Sequence, residues 1–311
     1  MTTTPSTRLP KYERAPKLAP RIQLTDRDRA VLYDLFHLRA LPLSLIQRRH
    51  FGSATRARER LRLLWHHSYV DRTFLPTVGP ATGEAIYSLG VASIPELSVI
   101  YGLEPAEIRR RRGKIEPLFL QHELLIARFR IAIGIAGSPK GVVIKDWQDG
   151  EAAKLRVPAR GPDGSESERP ITPDGMGWIA SKKVRFAFCL EADRGTMTVG
   201  RVKTKFERYS RARSAVRGVL GADRFRVLVV APTERRLASL RAAAEDIGTP
   251  NVWLTHEAVV DAEDLDVVVD PVWQRAGVDG RFGLFTNDQL GGAEAPAGVE
   301  ESPNPKEASH G

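Results

Sequence analysis

The chain has 311 residues, of which 42% are hydrophobic and 27% are charged, and this composition argues against wholesale disorder. Its single cysteine, Cys189, excludes an intramolecular disulfide and a cysteine-based zinc site, and no apolar run approaches the ~18 residues of a membrane span. The start of the sequence lacks the apolar core of a secretory signal, so we expect a cytoplasmic protein with no membrane partner.

The net charge of +9 is distributed unevenly along the chain. Residues 1–115 carry a net +10 and residues 182–241 a net +11, whereas residues 242–311 carry −11. Segregated basic charge indicates a polyanionic partner such as nucleic acid. Solvated arginine faces without such a partner are the alternative interpretation.

Composition divides the chain into four segments. Residues 1–21 contain four prolines among basic residues and predict a disordered basic arm, and residues 286–311 predict a disordered acidic tail. Between them we place one domain over residues 22–114 and a second over residues 115–285. Within the second domain, the stretch RGPDGSESERP at 160–170 predicts a loop.

The first domain is predicted as three short helices followed by a two-stranded hairpin. Thr25 is placed as the N-cap of the first helix, because acidic residues and then apolar residues at helical spacing follow it. The predicted elements are a helix from Thr25 to Leu38, a helix over 42–50, a helix from Ser53 to His66, and strands over 69–75 and 85–90. This order is typical of an all-α/winged helix-turn-helix domain.

The third predicted helix combines one apolar face with a basic face, as a DNA-recognition helix requires. The residues expected at duplex DNA are Thr55, Arg56 and Arg60 facing the groove, Arg58 and Arg62 flanking it, and Arg72 of the hairpin on the minor groove or a phosphate. Arginine suits this role because its planar fork pairs with guanine and its charge neutralises phosphate. A domain that binds protein through an arginine-rich helix is the alternative.

The second domain is predicted as an α/β domain with a mixed sheet, because helices and strands alternate along it. The predicted elements are a helix over 117–135, strands over 141–147 and 184–190 with a strand start or turn at Pro173-Asp174-Gly175 between them, a helix over 198–219, a strand over 225–231, a helix over 233–247 with Thr233 as N-cap, and a strand over 251–254.

Acidic residues and a lysine are expected to meet at the strand ends of this domain. Asp174 and Glu191 lie on neighbouring strands, and Asp193 points to the same face as Glu191 because it lies two residues further on. Lys205 lies at the margin of the inward stripe of the next helix. Such a group could bind Mg²⁺ and hydrolyse a phosphodiester. Strand-end hydrogen bonds or pairing with nearby basic residues are the alternative role for these acids.

Pro173-Asp174, Glu191 and a lysine resemble the restriction-endonuclease-like PD-(D/E)xK superfamily, whose core also runs helix, three strands, helix, strand. Asp193 stands where that pattern has lysine, and the resemblance transfers the lysine role to Lys205. It also implies Glu123 as the acid of the first helix, so that Asp174, Glu191 and Glu123 would hold the metal. An active domain of this kind would use Mg²⁺ and leave 5′-phosphate ends.

The chain as a whole resembles the replication-relaxation family over about residues 22–255. The strings that carry the resemblance are LTDRDRAVLYDLFHLRALPLSLIQRRHFG, HEL at 122–124, PDG, LEADRGT and KFERY. The family implies a bacterial DNA-binding protein of plasmid or mobile-element replication and relaxation, with plasmid replication or mobilisation proteins as further partners. It leaves open whether the nuclease-like domain is active.

The competing hypothesis is a non-enzymatic transcription or replication regulator. Its winged helix would bind DNA, and its second domain would dimerise or bind a partner protein.

Overall fold

The computed structural model describes residues 12–74, 83–113, 115–160 and 166–290. The chain divides into two compact units, the first extending to Ala127 and the second beginning at Arg128. The boundary lies inside a helix, Pro117–Gly137, whereas the sequence placed it after residue 114. Among the described residues, no helix has both the length and the apolar character that a membrane crossing requires.

The described part of the first unit consists of short helices and one small sheet. Its elements are α1 (Asp26–Leu38), β1 (Ala40–Pro42), α2 (Leu43–His50), α3 (Ala54–His66), β2 (Val70–Phe74), β3 (Ala85–Leu89), α4 (Ser93–Tyr101) and α5 (Pro105–Arg111). The strands pair antiparallel in the order β1–β3–β2. The three predicted helices and the hairpin are present. Strand β1 was not predicted, because it is three residues long, ends in proline and is defined by its pairing with β3.

Helix α1 begins at the predicted position because Thr25 caps it. The Thr25 hydroxyl accepts a hydrogen bond from the Asp28 backbone N–H (3.3 Å), and the Asp28 carboxylate accepts one from the Thr25 N–H (2.7 Å). Asp28 is fully buried, and its Oδ1 also accepts a hydrogen bond from Nε of Arg60 on α3 (2.9 Å). Burial acts to raise the pKa of Asp28, but the hydrogen bonds from Arg60 and Thr25 outweigh it and lower this pKa. Asp28 therefore ties α3 to the start of α1.

The segment before α1 is held on the first unit from residue 12 onward, in contrast to the predicted disorder. Arg14 donates hydrogen bonds to the backbone carbonyls of Trp65 (2.8 Å) and Val70 (3.0 Å). The same guanidinium forms an ion pair with Asp71 at 2.6 Å. One arginine thus joins this segment to the end of α3 and to strand β2.

Parts of the predicted arm, tail and loop lie outside the described residues, namely residues 1–11, 161–165 and 291–311. Before the last of these, Asn287–Gln289 forms a short 3-10 helix and Leu290 is buried. The described start of the predicted tail is therefore packed against the fold.

The second unit is built on a large mixed sheet, which confirms the predicted mixed α/β class. Its elements, beginning with the helix that contains the unit boundary, are α6 (Pro117–Gly137), β4 (Val143–Gln148), β5 (Leu155–Arg160), β6 (Glu166–Ile171), β7 (Gly175–Ala180), β8 (Arg185–Ala192), α7 (Val199–Ser210), α8 (Arg213–Leu220), β9 (Phe225–Ala231), α9 (Glu234–Ile247), β10 (Val252–His256), α10 (Glu257–Asp261), β11 (Trp273–Arg275) and β12 (Val278–Phe282). Seven strands pair in the order β12–β11–β10–β9–β8–β7–β4, and β5 pairs with β6 as a separate hairpin. Strands β8, β9 and β10 run parallel, and their outer neighbours run antiparallel.

Three features of the second unit differ from the sequence predictions. Residues 166–170, predicted as part of a loop, belong to β6, whose Ile171 packs in the core. The single helix predicted over 198–219 is two helices, because the backbone turns at Arg211 and buries Ala212 completely. Strands β11 and β12 were not predicted, since they are short and lie in an acidic, glycine-containing stretch.

Helices α7, α8 and α9 cover one face of the seven-stranded sheet. Ala187 and Cys189 of β8 point to this face and pack with Val202 and Phe206 of α7 in the main core. Because side chains alternate along a strand, Glu191 points to the same face and lies under α7. The fold therefore places an acidic side chain at the end of an otherwise apolar, buried row.

Candidate functional site

Glu191 lies at the carboxyl end of β8 and is bound by two side chains of α7. Its Oε1 accepts a hydrogen bond from the Tyr209 hydroxyl, and its Oε2 accepts one from the Lys205 ammonium. Lys205 and Tyr209 are four residues apart and so lie on one face of α7. The structure brings Glu191 and Lys205 together as the sequence suggested. It adds Tyr209, the last residue of the string KFERY, to the same carboxylate. We call these three residues the Glu191 cluster.

Asp174 lies just before β7, beside the end of β8. Its backbone N–H donates to the carbonyl of Leu190 (3.0 Å), and its Oδ2 accepts from the backbone N–H of Ala192 (2.7 Å). Asp174 therefore holds the backbone on both sides of Glu191. The next residue is glycine for a steric reason, because a Cβ at Gly175 would overlap the ring of Trp147.

Burial dominates the electrostatics of the Glu191 cluster. It raises the pKa of Glu191 to about 7 with help from the charge of Asp174, although Lys205 and Tyr209 oppose the rise. The pKa of Lys205 is also raised, because the charges of Glu191 and Asp174 outweigh the opposite effect of burial. Burial raises the pKa of Tyr209 well above its usual value. The pKa of Glu191 is therefore close to neutral pH, whereas those of Lys205 and Tyr209 are shifted further above it.

Asp193, predicted as a catalytic carboxylate, is engaged by Arg236 of α9. The two groups pair through both carboxylate oxygens, with Nε–Oδ2 at 2.7 Å and Nη2–Oδ1 at 3.1 Å. Arg236 also donates to the carbonyl of Met197 (2.8 Å), so it fixes the loop between β8 and α7 to α9. The sequence carries no local signal for this pair because the two residues are 43 positions apart.

The described residues do not provide the expected metal site. No group of three or more His, Cys, Asp or Glu side chains among them is arranged to hold a metal ion. Both oxygens of Glu191 accept hydrogen bonds, and Asp174 binds a backbone amide. Glu123, expected as a third ligand, forms an ion pair with Arg39 in the first unit at 2.6 Å. Each of the three expected ligands therefore has a protein partner in the structure.

Helix α3 gives the first unit an exposed basic face. Its buried stripe includes Ala57, Leu61 and Leu64, as the sequence predicted. The exposed residues of the predicted DNA-contact set are Thr55, Arg56, Arg58 and Arg62. Within the described parts of the chain, none of these three arginines forms an ion pair, so their charge faces solvent.

The two other arginines of the predicted DNA-contact set are engaged with protein groups. Arg60 pairs with the buried Asp28 and also donates to the carbonyl of Gln23 (2.7 Å). The guanidinium carbon of Arg72 lies 4.0 Å from the centroid of the Trp65 ring, a cation–π contact. Both arginines therefore stabilise the packing around α3.

Comparison with known proteins identifies a family. The replication-relaxation family model matches residues 32–219, which is more than half of the chain. The chain belongs to the replication-relaxation family. The resemblance drawn from the sequence motifs is thereby confirmed. The match spans α3 and the Glu191 cluster. Membership of the replication-relaxation family suggests a role in the replication and relaxation of mobile elements. Comparisons with curated proteins and with solved structures find no significant match.

Proposed function

We propose that this replication-relaxation protein binds duplex DNA through its first unit during the replication or relaxation of a mobile element. The observation that carries the proposal is the group of three exposed arginines on α3, Arg56, Arg58 and Arg62, which form no ion pair with any residue that the structure describes. A cation that is free of internal partners is available to neutralise phosphate and to release counterions.

The order of elements supports the same conclusion. Helix α1, strand β1, helices α2 and α3, and the hairpin β2–β3 follow one another as in a winged helix, with α2 and α3 in the positions of a helix-turn-helix. In that motif the second of the two helices enters the major groove. Helix α3 would then present its arginines to base edges and phosphates.

The arginines of α3 and β2 are proposed to have two different roles. Arg56, Arg58 and Arg62 would contact DNA, whereas Arg60 fixes the helix on Asp28 and Arg72 fixes it through Trp65. A recognition helix held at a defined angle loses little freedom on binding, which favours affinity. The Asp28–Arg60 pair is therefore proposed as a support for the DNA-contacting face.

The test is the salt dependence of DNA binding. Arg56→Ala, Arg58→Ala and Arg62→Ala, singly and combined, should weaken binding to duplex DNA. Each lost phosphate contact should reduce the slope of log K against log salt by about 0.9. The control is Arg235→Ala, which removes an exposed arginine from α9 in the second unit. An unchanged slope in the triple variant would rule out α3 as the DNA-binding surface.

Mg²⁺-dependent nicking by the second unit is the competing function, and the meeting of Glu191 with Lys205 beside Asp174 favours it. It ranks second because the described residues contain no group of three or more candidate metal ligands. Plasmid nicking with Mg²⁺ distinguishes the two. Equal activity in wild type, Asp174→Ala and Glu191→Ala assigns any nicking to contamination, whereas loss in both variants assigns it to this site.

A further inference from the structure

A cavity of about 860 Å³ lies within the second unit, and its wall is strongly basic. The arginines that line it are Arg213, Arg224, Arg226 and Arg275. The wall also contains one acid, Asp223, whose carboxylate already pairs with Arg217 (3.3 Å) and with Arg213 (3.8 Å). The cavity therefore holds a surplus of positive charge.

The guanidinium groups of two of these arginines, Arg226 and Arg275, stack on aromatic rings. The guanidinium carbon of Arg226 lies 3.8 Å from the centroid of the Phe186 ring and 4.2 Å from that of Trp253. The guanidinium carbon of Arg275 lies 4.9 Å from the Trp253 centroid and 5.3 Å from that of Phe282. These stacks fix the planes of both guanidinium groups before any ligand arrives.

Neither stacked arginine has an acidic partner in the described part of the chain. Arg226 donates to the backbone carbonyl of Leu284 (2.9 Å), and the Nε of Arg275 is buried with no hydrogen-bond partner there. Burial, and then the neighbouring charge of Arg275, lower the pKa of Arg226 to about 10, so the Arg226 guanidinium remains charged at neutral pH. Two adjacent, half-buried cations with no acidic partner among the described residues repel each other, and a bound anion would offset that cost.

We propose that this cavity binds a phosphate group, carried either by a DNA strand or by a free nucleotide or phosphate ion. Fixed guanidinium forks match the geometry of phosphate oxygens and bind them through paired hydrogen bonds. Asn251 lines the same cavity, and its side-chain amide has a second N–H besides the one that donates to the carbonyl of Phe225 (3.5 Å). The proposal does not depend on DNA binding by α3, because every residue that carries it lies in the second unit.

Calorimetric titration at constant ionic strength tests this site. The ligands are inorganic phosphate, a nucleoside monophosphate and a 5′-phosphorylated single-stranded oligonucleotide, each added to the full chain carrying Arg56→Ala, Arg58→Ala and Arg62→Ala. Because the α3 arginines are removed, binding of the oligonucleotide cannot come from α3. The result therefore tests the cavity separately from the proposed DNA binding by α3. Binding of the small ligands assigns the site to a free phosphate compound, whereas binding of the oligonucleotide alone assigns it to a DNA strand.

Variants of the cavity arginines test whether the phosphate ligands bind in this cavity. Arg275→Met and Arg226→Met should each weaken binding about tenfold or more, because a charge-assisted hydrogen bond is lost. Arg275→Lys should recover only part of the affinity, since it keeps the charge and loses the fork. The control Arg235→Met, on the exposed face of α9, should bind like the parent.

Arg226 is packed between two rings, so its replacement could prevent folding. Arg224→Met removes an exposed arginine from the same wall and keeps the test valid in that case. The proposal is overturned if the folded parent binds none of the three ligands. It is equally overturned if Arg275→Met and Arg224→Met bind them as tightly as the parent.

Discussion

Replacing Glu191 by glutamine should flatten the pH dependence of the stability of the second unit. Glu191 is buried, and its pKa is raised from the ordinary value of 4.5 to about 7. Between these two values the folded state binds a proton that the unfolded state releases. The free energy of unfolding therefore falls as the pH rises through this window, and the contribution is fully present only below pH 4.5.

The expected size of the effect follows from the two pKa values of Glu191. Raising the pKa from 4.5 to about 7 corresponds to about 3 kcal/mol of unfolding free energy lost between those pH values. Glutamine cannot ionise, so this loss should disappear. The variant should also be less stable at every pH, because one amide oxygen cannot accept hydrogen bonds from both Lys205 and Tyr209 in the present geometry.

Urea unfolding at several pH values between 5 and 8, followed by tryptophan fluorescence, measures this difference. Four of the five tryptophans lie in the second unit, so the signal reports mainly on that unit: Trp147, Trp178, Trp253 and Trp273. Glu207→Gln is the matched control, because Glu207 is exposed on the same helix as Lys205 and Tyr209. Parallel curves of stability against pH for wild type and Glu191→Gln would refute the assignment of the raised pKa to Glu191.

Two further predictions concern stability. Asp28→Asn should lower the free energy of unfolding of the first unit by about 3 kcal/mol, because it leaves the arginine of a buried ion pair without its anion. Asp26→Asn, at an exposed position of the same helix turn, should hardly move the thermal midpoint, and equal effects of the two changes would contradict the role of Asp28. Gly175→Ala should cost about 1–3 kcal/mol because the new methyl group overlaps the ring of Trp147. Gly200→Ala has open space on α7 and should be neutral or stabilising in the same thermal melts, so destabilisation by both alanines would argue against the steric explanation.

Local patterns were sufficient to predict the capped helices. Thr25 and Thr233 cap α1 and α9 as expected, since a cap and the apolar stripe after it lie within one stretch of sequence. Strand β1 could not be found in this way, because its three residues form a strand only through pairing with β3. The break between α7 and α8 was also missed, since the apolar periodicity continues past Arg211.

In the candidate site, too, contacts fixed by local sequence patterns could be predicted, whereas contacts between distant parts of the chain could not. The meeting of Glu191 and Lys205 could be anticipated, because strand alternation and the helical stripe fix where each side chain points. The contact of Tyr209 with Glu191 could have been inferred from its position four residues after Lys205. The partners of Arg60 and Asp193 could not, because Asp28 and Arg236 come from distant parts of the chain.

The anchoring of the N-terminal segment by Arg14 has a practical consequence for shortened versions of the protein. A deletion up to residue 21, where the composition first suggests that folded structure begins, would remove the guanidinium that satisfies the carbonyls of Trp65 and Val70. It would also leave Asp71 with one fewer cation. The shortest version that retains the native junction between α3 and β2 therefore has to begin before Arg14.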